Sequence, residues 1–290
     1  MLNLRLPAGI GDISWCYSKL INLKEDFHFY ISADNPRRSL DFVQLLPGVR
    51  SAEYDCSNYH RIVYNCLPHN ITRERLTSLS STAVQNFALN HYLEQGNRIE
   101  YFIPDIPTDF HYKINTSPAD VAFSEQVIKN TESAIGIYTS SYINSSAWGG
   151  WLLYQWKTLI CELSRNLPNT TFIFLGADYD APLTDDLVKL INPIQHINLC
   201  GKTTIGEAIE VLRRLNYFIS YPCGLAVLSN VVSTPVMMFY PNHLIKLMYS
   251  WPDPKSIEDL SYKGCVFPKP EEALLWLFEN YKISHKINGG

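Results

Sequence analysis

Leu2-Asn3-Leu4-Arg5-Leu6-Pro7-Ala8-Gly9-Ile10-Gly11-Asp12 is the stretch on which the fold turns. Leu2 to Leu6 alternates apolar and polar residues, the period of a strand with one buried face. Pro7 to Asp12 breaks that period, and Ile13 to Leu23 resumes it at helical spacing. A strand, a glycine turn and a helix at the very start of a chain predict the first βα step of a parallel sheet.

The same grammar continues outward. Phe27 to Ser32 reads as a second strand stopped at Asp34-Asn35-Pro36, Ser39 to Leu46 as a helix ended by Pro47-Gly48, and Arg61 to Cys66 as a further strand. Thr77 to Gln95 is predicted helical, closed by Gly96. Ile103 to Pro118 carries Pro104, Pro107 and Pro118 without periodicity, and the domain boundary is set at its end. Beyond it the pattern restarts: strand Ala134–Tyr138, helix Trp151–Asn166, strand Thr171–Leu175, helix Thr204–Leu215, strand Tyr217–Ser220, helix Leu225–Val232 and a last strand Val236–Tyr240. Glu271 to Tyr281 is a terminal amphipathic helix, expected to pack back on the first domain. The expectation is an α/β protein of two Rossmann-like doubly wound domains, residues 1–118 and 119–290, facing a central cleft.

Composition narrows the function. Apolar residues are 46% and charged residues 18% of 290, enough for two cores and too ordered for a disordered chain. A net charge of -4 supplies no general attraction for nucleic acid or anionic membrane. Seven dispersed cysteines without a CxxC pair read as reduced thiols of a cytoplasmic protein. No signal peptide and no membrane span are expected, and no metal site either, since His60, His69 and His91 fall in separate elements.

Chemistry concentrates in the turns. Gly9 and Gly11 let the backbone approach a ligand closely, and the helix beyond them favours anionic groups. Asp12 is placed either to cap that helix or, at the carboxyl end of a first strand, to act as a general base; the two roles are compatible. Asn198 to Glu207 superficially resembles a P-loop but has no upstream glycine, Ile197 standing in that stretch. It reads instead as a turn followed by a helix that Thr204 caps with Glu207 completing a capping box, which leaves Lys202 and Thr203 at the helix start. Tyr221-Pro222-Cys223-Gly224-Leu225 is a second glycine turn suited to a pyrophosphate, and Thr139-Ser140-Ser141 offers hydroxyls for phosphate or for local capping. Trp148, Trp151 and Trp156 read as packing residues.

The order of these features resembles the ADP-heptose:lipopolysaccharide heptosyltransferase family of GT-B glycosyltransferases, glycosyltransferase family 9. The likeness lies in Gly9-Ile10-Gly11-Asp12, Trp151 to Leu163, Leu175-Gly176-Ala177, and Asn198 to Glu207 running into Gly224-Leu225 and Thr234-Pro235. The resemblance implies an inverting, metal-independent transfer, the acceptor on the first domain and a nucleotide sugar on the second. It implies Asp12 as catalytic base beside Gly9 and Gly11. On the donor side it places Asp180 at the ribose, the Thr203 backbone at the base, and Gly224 and Leu225 over the diphosphate. The family pattern Asp-(Ser/Thr)-Gly-x-x-His departs here: Pro222 stands for the acid and Val227 for the histidine, and Ser146-Ala147 occupies the place of a lysine. These replacements point to a donor other than ADP-heptose, or to a lost activity.

Three functions compete. The first is transfer from a nucleotide-diphosphate sugar, as co-substrate and with no cofactor, to a carbohydrate or other hydroxylated acceptor. The second is phage-type glycosylation of hydroxymethylated DNA, for which Arg37, Arg38, Arg61, Arg73, Arg75 and Arg98 would form the basic face. The third is non-catalytic binding of a nucleotide sugar, against which the presence of Asp12 weighs.

Overall fold

The computed structural model describes residues 1–7, 9–31, 36–54, 71–78, 84–86, 103–140, 151–240, 262–266 and 269–281. Two parallel sheets organise them. The first contains β1 (Leu2–Leu6), β2 (Phe27–Ile31), β3 (Val49–Tyr54) and β4 (Gln85–Asn86), in the order β3-β2-β1-β4. The second contains β5 (Ser133–Tyr138), β6 (Thr170–Phe174), β7 (His196–Asn198), β8 (Tyr217–Ser220), β9 (Val236–Tyr240) and β10 (Tyr262–Val266), in the order β10-β9-β8-β5-β6-β7. Read from β7, that is the doubly wound order 3-2-1-4-5-6, and it reverses between β5 and β8.

The helices of the first half are α1 (Ile10–Leu20), α2 (Pro36–Gln44) and the short α3 (Arg73–Ser78). Those of the second are α4 (Pro118–Ile128), α5 (Leu153–Asn166), α6 (Ala181–Ile191), α7 (Ile205–Arg213), α8 (Gly224–Val231) and α9 (Pro270–Tyr281). Alternation in β1 and β2 matches burial residue by residue: Leu2, Leu4, Leu6, Phe27, Phe29 and Ile31 are buried and the residues between them are not. β5 and β6 are buried nearly throughout, as strands covered on both faces must be.

Several expectations are corrected. Helix Thr77–Gln95 does not form as such: α3 ends at Ser78, and Gln85–Asn86 pairs in parallel with Leu4–Arg5. Pairing with β1 outweighs helix propensity there. The third strand of the first sheet is Val49–Tyr54, largely exposed and therefore without an apolar signature, and Arg61–Cys66 lies outside the described residues. Val236–Tyr240 is not the last strand, because Tyr262–Val266 adds beside it.

The proline-bearing stretch is bound to the first half rather than loose. Buried Lys19 donates from Nζ to the carbonyls of Ile103 (3.2 Å) and Ile106 (2.8 Å), and the Asn115 N–H donates to the Leu45 carbonyl at 2.8 Å. The crossing follows at once, where the Thr116 hydroxyl donates to Glu210 of α7 at 2.6 Å. The terminal helix α9, expected on the first domain, has α5 of the second half as its main neighbour. It follows β10, which extends the second sheet, so its buried Ala273 and Leu277 meet that sheet's helices first.

Candidate functional site

The carboxyl ends of the strands carry the candidate residues. After β1, Gly9 is the N-cap of α1 in extended conformation, and Asp12 is the third helical residue rather than the cap. A Cβ on Gly9 would lie 2.8 Å from Asp12 Oδ2, so the half-buried carboxylate turns back over the helix start, where the helix dipole favours it. α1 packs on α8 across the two halves, and a Cβ on Gly11 would come 3.2 Å from Val227 Cγ2. Val227, standing where the resemblance expects a histidine, is thus a buried apolar contact in the seam.

On the other side of the seam, Tyr138 and Ser220 pair in register, which sets the segments after β5 and β8 side by side at the topological switch point. Thr139 and Ser140 follow β5 and are both buried. The Thr139 hydroxyl has no hydrogen-bond partner among the described residues. A buried hydroxyl left unpaired is costly, and a ligand oxygen at a switch point would satisfy it. Gly224 and Leu225 open α8 beside it, both partly exposed. The Cys223 thiol is pushed up to about 11 by burial, against the pull of the Ser220 hydroxyl and the Ala226 and Leu225 N–H groups.

Asp180 is 3% exposed and ties these turns together. Its Oδ2 accepts the Ala177 N–H at 2.8 Å, its Oδ1 accepts the Tyr138 hydroxyl at 3.4 Å, and the Ser140 side chain also hydrogen-bonds it. Burial raises its carboxyl above the ordinary range, and those hydrogen bonds together with Arg38 oppose the rise. The turn holding Lys202 and Thr203 stacks on the Asp180 turn, Gly201 N–H donating to the Gly176 carbonyl at 3.0 Å. Thr204 caps α7 through the Glu207 N–H (3.1 Å), and Glu207 answers through the Thr204 N–H (2.7 Å), the capping box read from the sequence. Lys202 is exposed and donates to the Asn198 carbonyl at 3.0 Å.

The structure therefore gathers Thr139, Ser140, Asp180, Lys202, Thr203, Gly224 and Leu225 along one edge of the second sheet, with Gly9, Gly11 and Asp12 at the seam. Ser141, Trp148, His60, His69 and His91 lie outside the described residues. Trp151 and Trp156 are packing residues, as expected, their rings 5.2 Å apart and both against Phe239. Tyr138 escaped the sequence reading because it sits inside a strand, and Arg38, read there only as part of a basic face, meets Asp178 across 140 positions of chain. Among the described residues, no group of three His, Cys, Asp or Glu is placed to hold a metal ion, and no helix is long and apolar enough to cross a membrane.

The family model described as glycosyltransferase family 9 (heptosyltransferase) matches residues 105–257, more than half of the chain. The chain belongs to glycosyltransferase family 9. It is a glycosyltransferase. Its fold is that of the GT-B structures it resembles. Against Escherichia coli ADP-heptose lps heptosyltransferase II the TM-score is 0.64 at 15% identity, covering 96% of this chain and 98% of that one. Against the family 9 glycosyl transferase from Veillonella parvula the score is 0.66 at 12% identity, covering 97% and 91%. Against E. coli heptosyltransferase WaaC with ADP it is 0.57 at 12% identity, covering 97% and 98%. No curated protein matches the chain. Nothing in these similarities supports DNA as the acceptor, and the basic face drawn for it loses Arg38 to an ion pair with Asp178.

Proposed function

We propose that this family 9 glycosyltransferase moves a sugar from a nucleoside-diphosphate sugar, held along the carboxyl edge of the second sheet, to the hydroxyl of a carbohydrate acceptor presented by the first. Residues 1–118 form the acceptor-side domain and 119–290 the donor-side domain. The single observation that carries the donor site is the buried Thr139 hydroxyl, without a partner among the described residues, at the β5/β8 switch point beside the N-terminus of α8. Backbone N–H groups at that terminus suit a diphosphate, the Asp180 carboxylate suits a ribose diol, and Lys202 extends the donor site past β7. Thr203 meets the base. Asp12 takes the acceptor proton while the diphosphate leaves from the opposite face, so the anomeric centre inverts. No metal ion takes part, and the protein works in the cytoplasm.

Thermal shift of the full chain with ADP-, UDP-, GDP- and CMP-sugars tests this reading, because a ligand at 100-fold its Kd stabilises the fold by about 2.7 kcal/mol. One of the diphosphate classes, ADP-, UDP- or GDP-sugar, is expected to raise the melting temperature, equally with a chelator present, and the monophosphate CMP-sugar is expected not to. No shift with any of them, or a shift abolished by the chelator, would overturn the assignment.

A further inference from the structure

The 178–180 turn that carries Asp180 is not held by the second half alone. Arg38, on α2 of the first half, forms an ion pair with Asp178, and its guanidinium lies 5.2 Å above the ring of Tyr179. Asp178 is held below the ordinary carboxylate range by Arg38 and the Tyr179 N–H, which outweigh its desolvation. The same guanidinium acts electrostatically on Asp180. One cation from the acceptor side thus engages all three residues of a donor-side turn.

We propose that Arg38 is a positioning residue for the donor: it fixes the 178–180 turn so that Asp180 is set for the nucleotide ribose, and so couples the state of the cleft to donor affinity. An exposed ion pair adds little to global stability, Asp178 being 72% exposed. Its effect belongs to the site. The planar guanidinium can pair with the carboxylate and stack on the phenol ring at once, which a lysine ammonium cannot match. Arg38 touches no reacting atom in this scheme, and it acts through Asp178 and Tyr179 on Asp180. Because α2 starts soon after β2, any tilt of the first half moves Arg38 with it.

The proposal rests on the donor site described above, and its test separates the two. ADP, UDP, GDP and CDP are titrated calorimetrically into full-length wild type, R38E, D178R, R38E/D178R, R38K and, as a donor-site control, G224V. The binding nucleotide is expected to lose about tenfold in affinity in R38E and in D178R, a coupling of ordinary size. The charge-reversed pair R38E/D178R is expected to regain most of that loss through the restored ion pair but to stay short of wild type, because a carboxylate at position 38 cannot stack on Tyr179, and R38K is expected to fall between R38E and wild type. Recovery in the pair excludes a direct phosphate contact by Arg38, which reversal would destroy. Wild-type affinity in R38E while G224V fails to bind would sink the clasp and leave the donor site standing. So would a double variant no better than either single. Should R38E not fold, unchanged affinity in R38K would sink the clasp equally. If wild type binds none of the four nucleotides, the donor site falls and the clasp falls with it.

Discussion

Gly11 and Gly224 face each other where α1 meets α8: a Cβ on Gly11 would lie 3.4 Å from Gly224 Cα, and one on Gly224 would lie 3.3 Å from the Gly11 nitrogen. The turn expected to serve the acceptor and the turn expected to serve the donor therefore share one seam. Side chains there would hold the helix starts apart. Ile10 and Gly11, the two residues before Asp12, are the ones that meet Gly224.

Gly11→Val should force that seam open, since its added methyls meet Val227 and the Gly224 backbone. Overpacking of this kind costs about 1–3 kcal/mol, to be read from urea denaturation. Adding Val227→Ala should return part of the loss, because it vacates the space that the new side chain needs. Simple additivity of the two changes would mean that the seam is looser than described.

Asp12→Asn should lower turnover by ~10²–10⁴-fold, the usual contribution of a general base. Nucleotide affinity should stay at the wild-type value. Asp12 is the third helical residue rather than the cap, and removing its charge from the helix start should cost about 0.3–1 kcal/mol. Gly9→Ala, whose Cβ would sit 2.8 Å from Asp12 Oδ2, should also slow turnover by displacing the carboxylate. Near-normal rates in Asp12→Asn would assign the base to another group.

Asp180→Asn should separate stability from binding. The folded protein holds the Asp180 proton more tightly than the unfolded chain does, because its carboxyl is raised from 3.8 by burial. Its favourable contribution is therefore complete below that value and lost as pH rises through the higher folded value. The amide cannot accept from the donors on both oxygens, a loss constant with pH, so the melting temperature of the variant relative to wild type should be highest at neutral pH and fall as the pH drops toward 3.8. Nucleotide affinity should drop at the same time. A variant that melts well below wild type at neutral pH would show Asp180 to be a structural anchor.

Cys200 and Cys223 should resist alkylation in the native protein at neutral pH. Burial pushes both thiols up to about 11, so the reactive thiolate is scarce. Mass mapping after iodoacetamide treatment should find them unmodified until a denaturant is added. Rapid native labelling of Cys223 would mean that the donor turn is open to solvent.

By itself the sequence determined the local grammar. Alternation in Leu2–Leu6 and Phe27–Ile31, glycines after β1 and at the start of α8, and Thr204 three residues ahead of Glu207 each encode an element through neighbours within a few positions. Propensity, capping and periodicity act at that range, so the two doubly wound halves and the βα turns that carry the candidate site were legible. Tertiary structure alone decided what pairs across the chain. Val49–Tyr54 becomes a strand because β2 offers it an edge, although its own residues are mostly exposed. Gln85–Asn86 leaves a helical pattern because β1 has a free side. Asp180 is loaded by burial against Tyr138 and Ser140, and Arg38 meets Asp178 only after both halves have folded. Burial and long-range electrostatics depend on where distant segments pack, and no window of sequence contains that information.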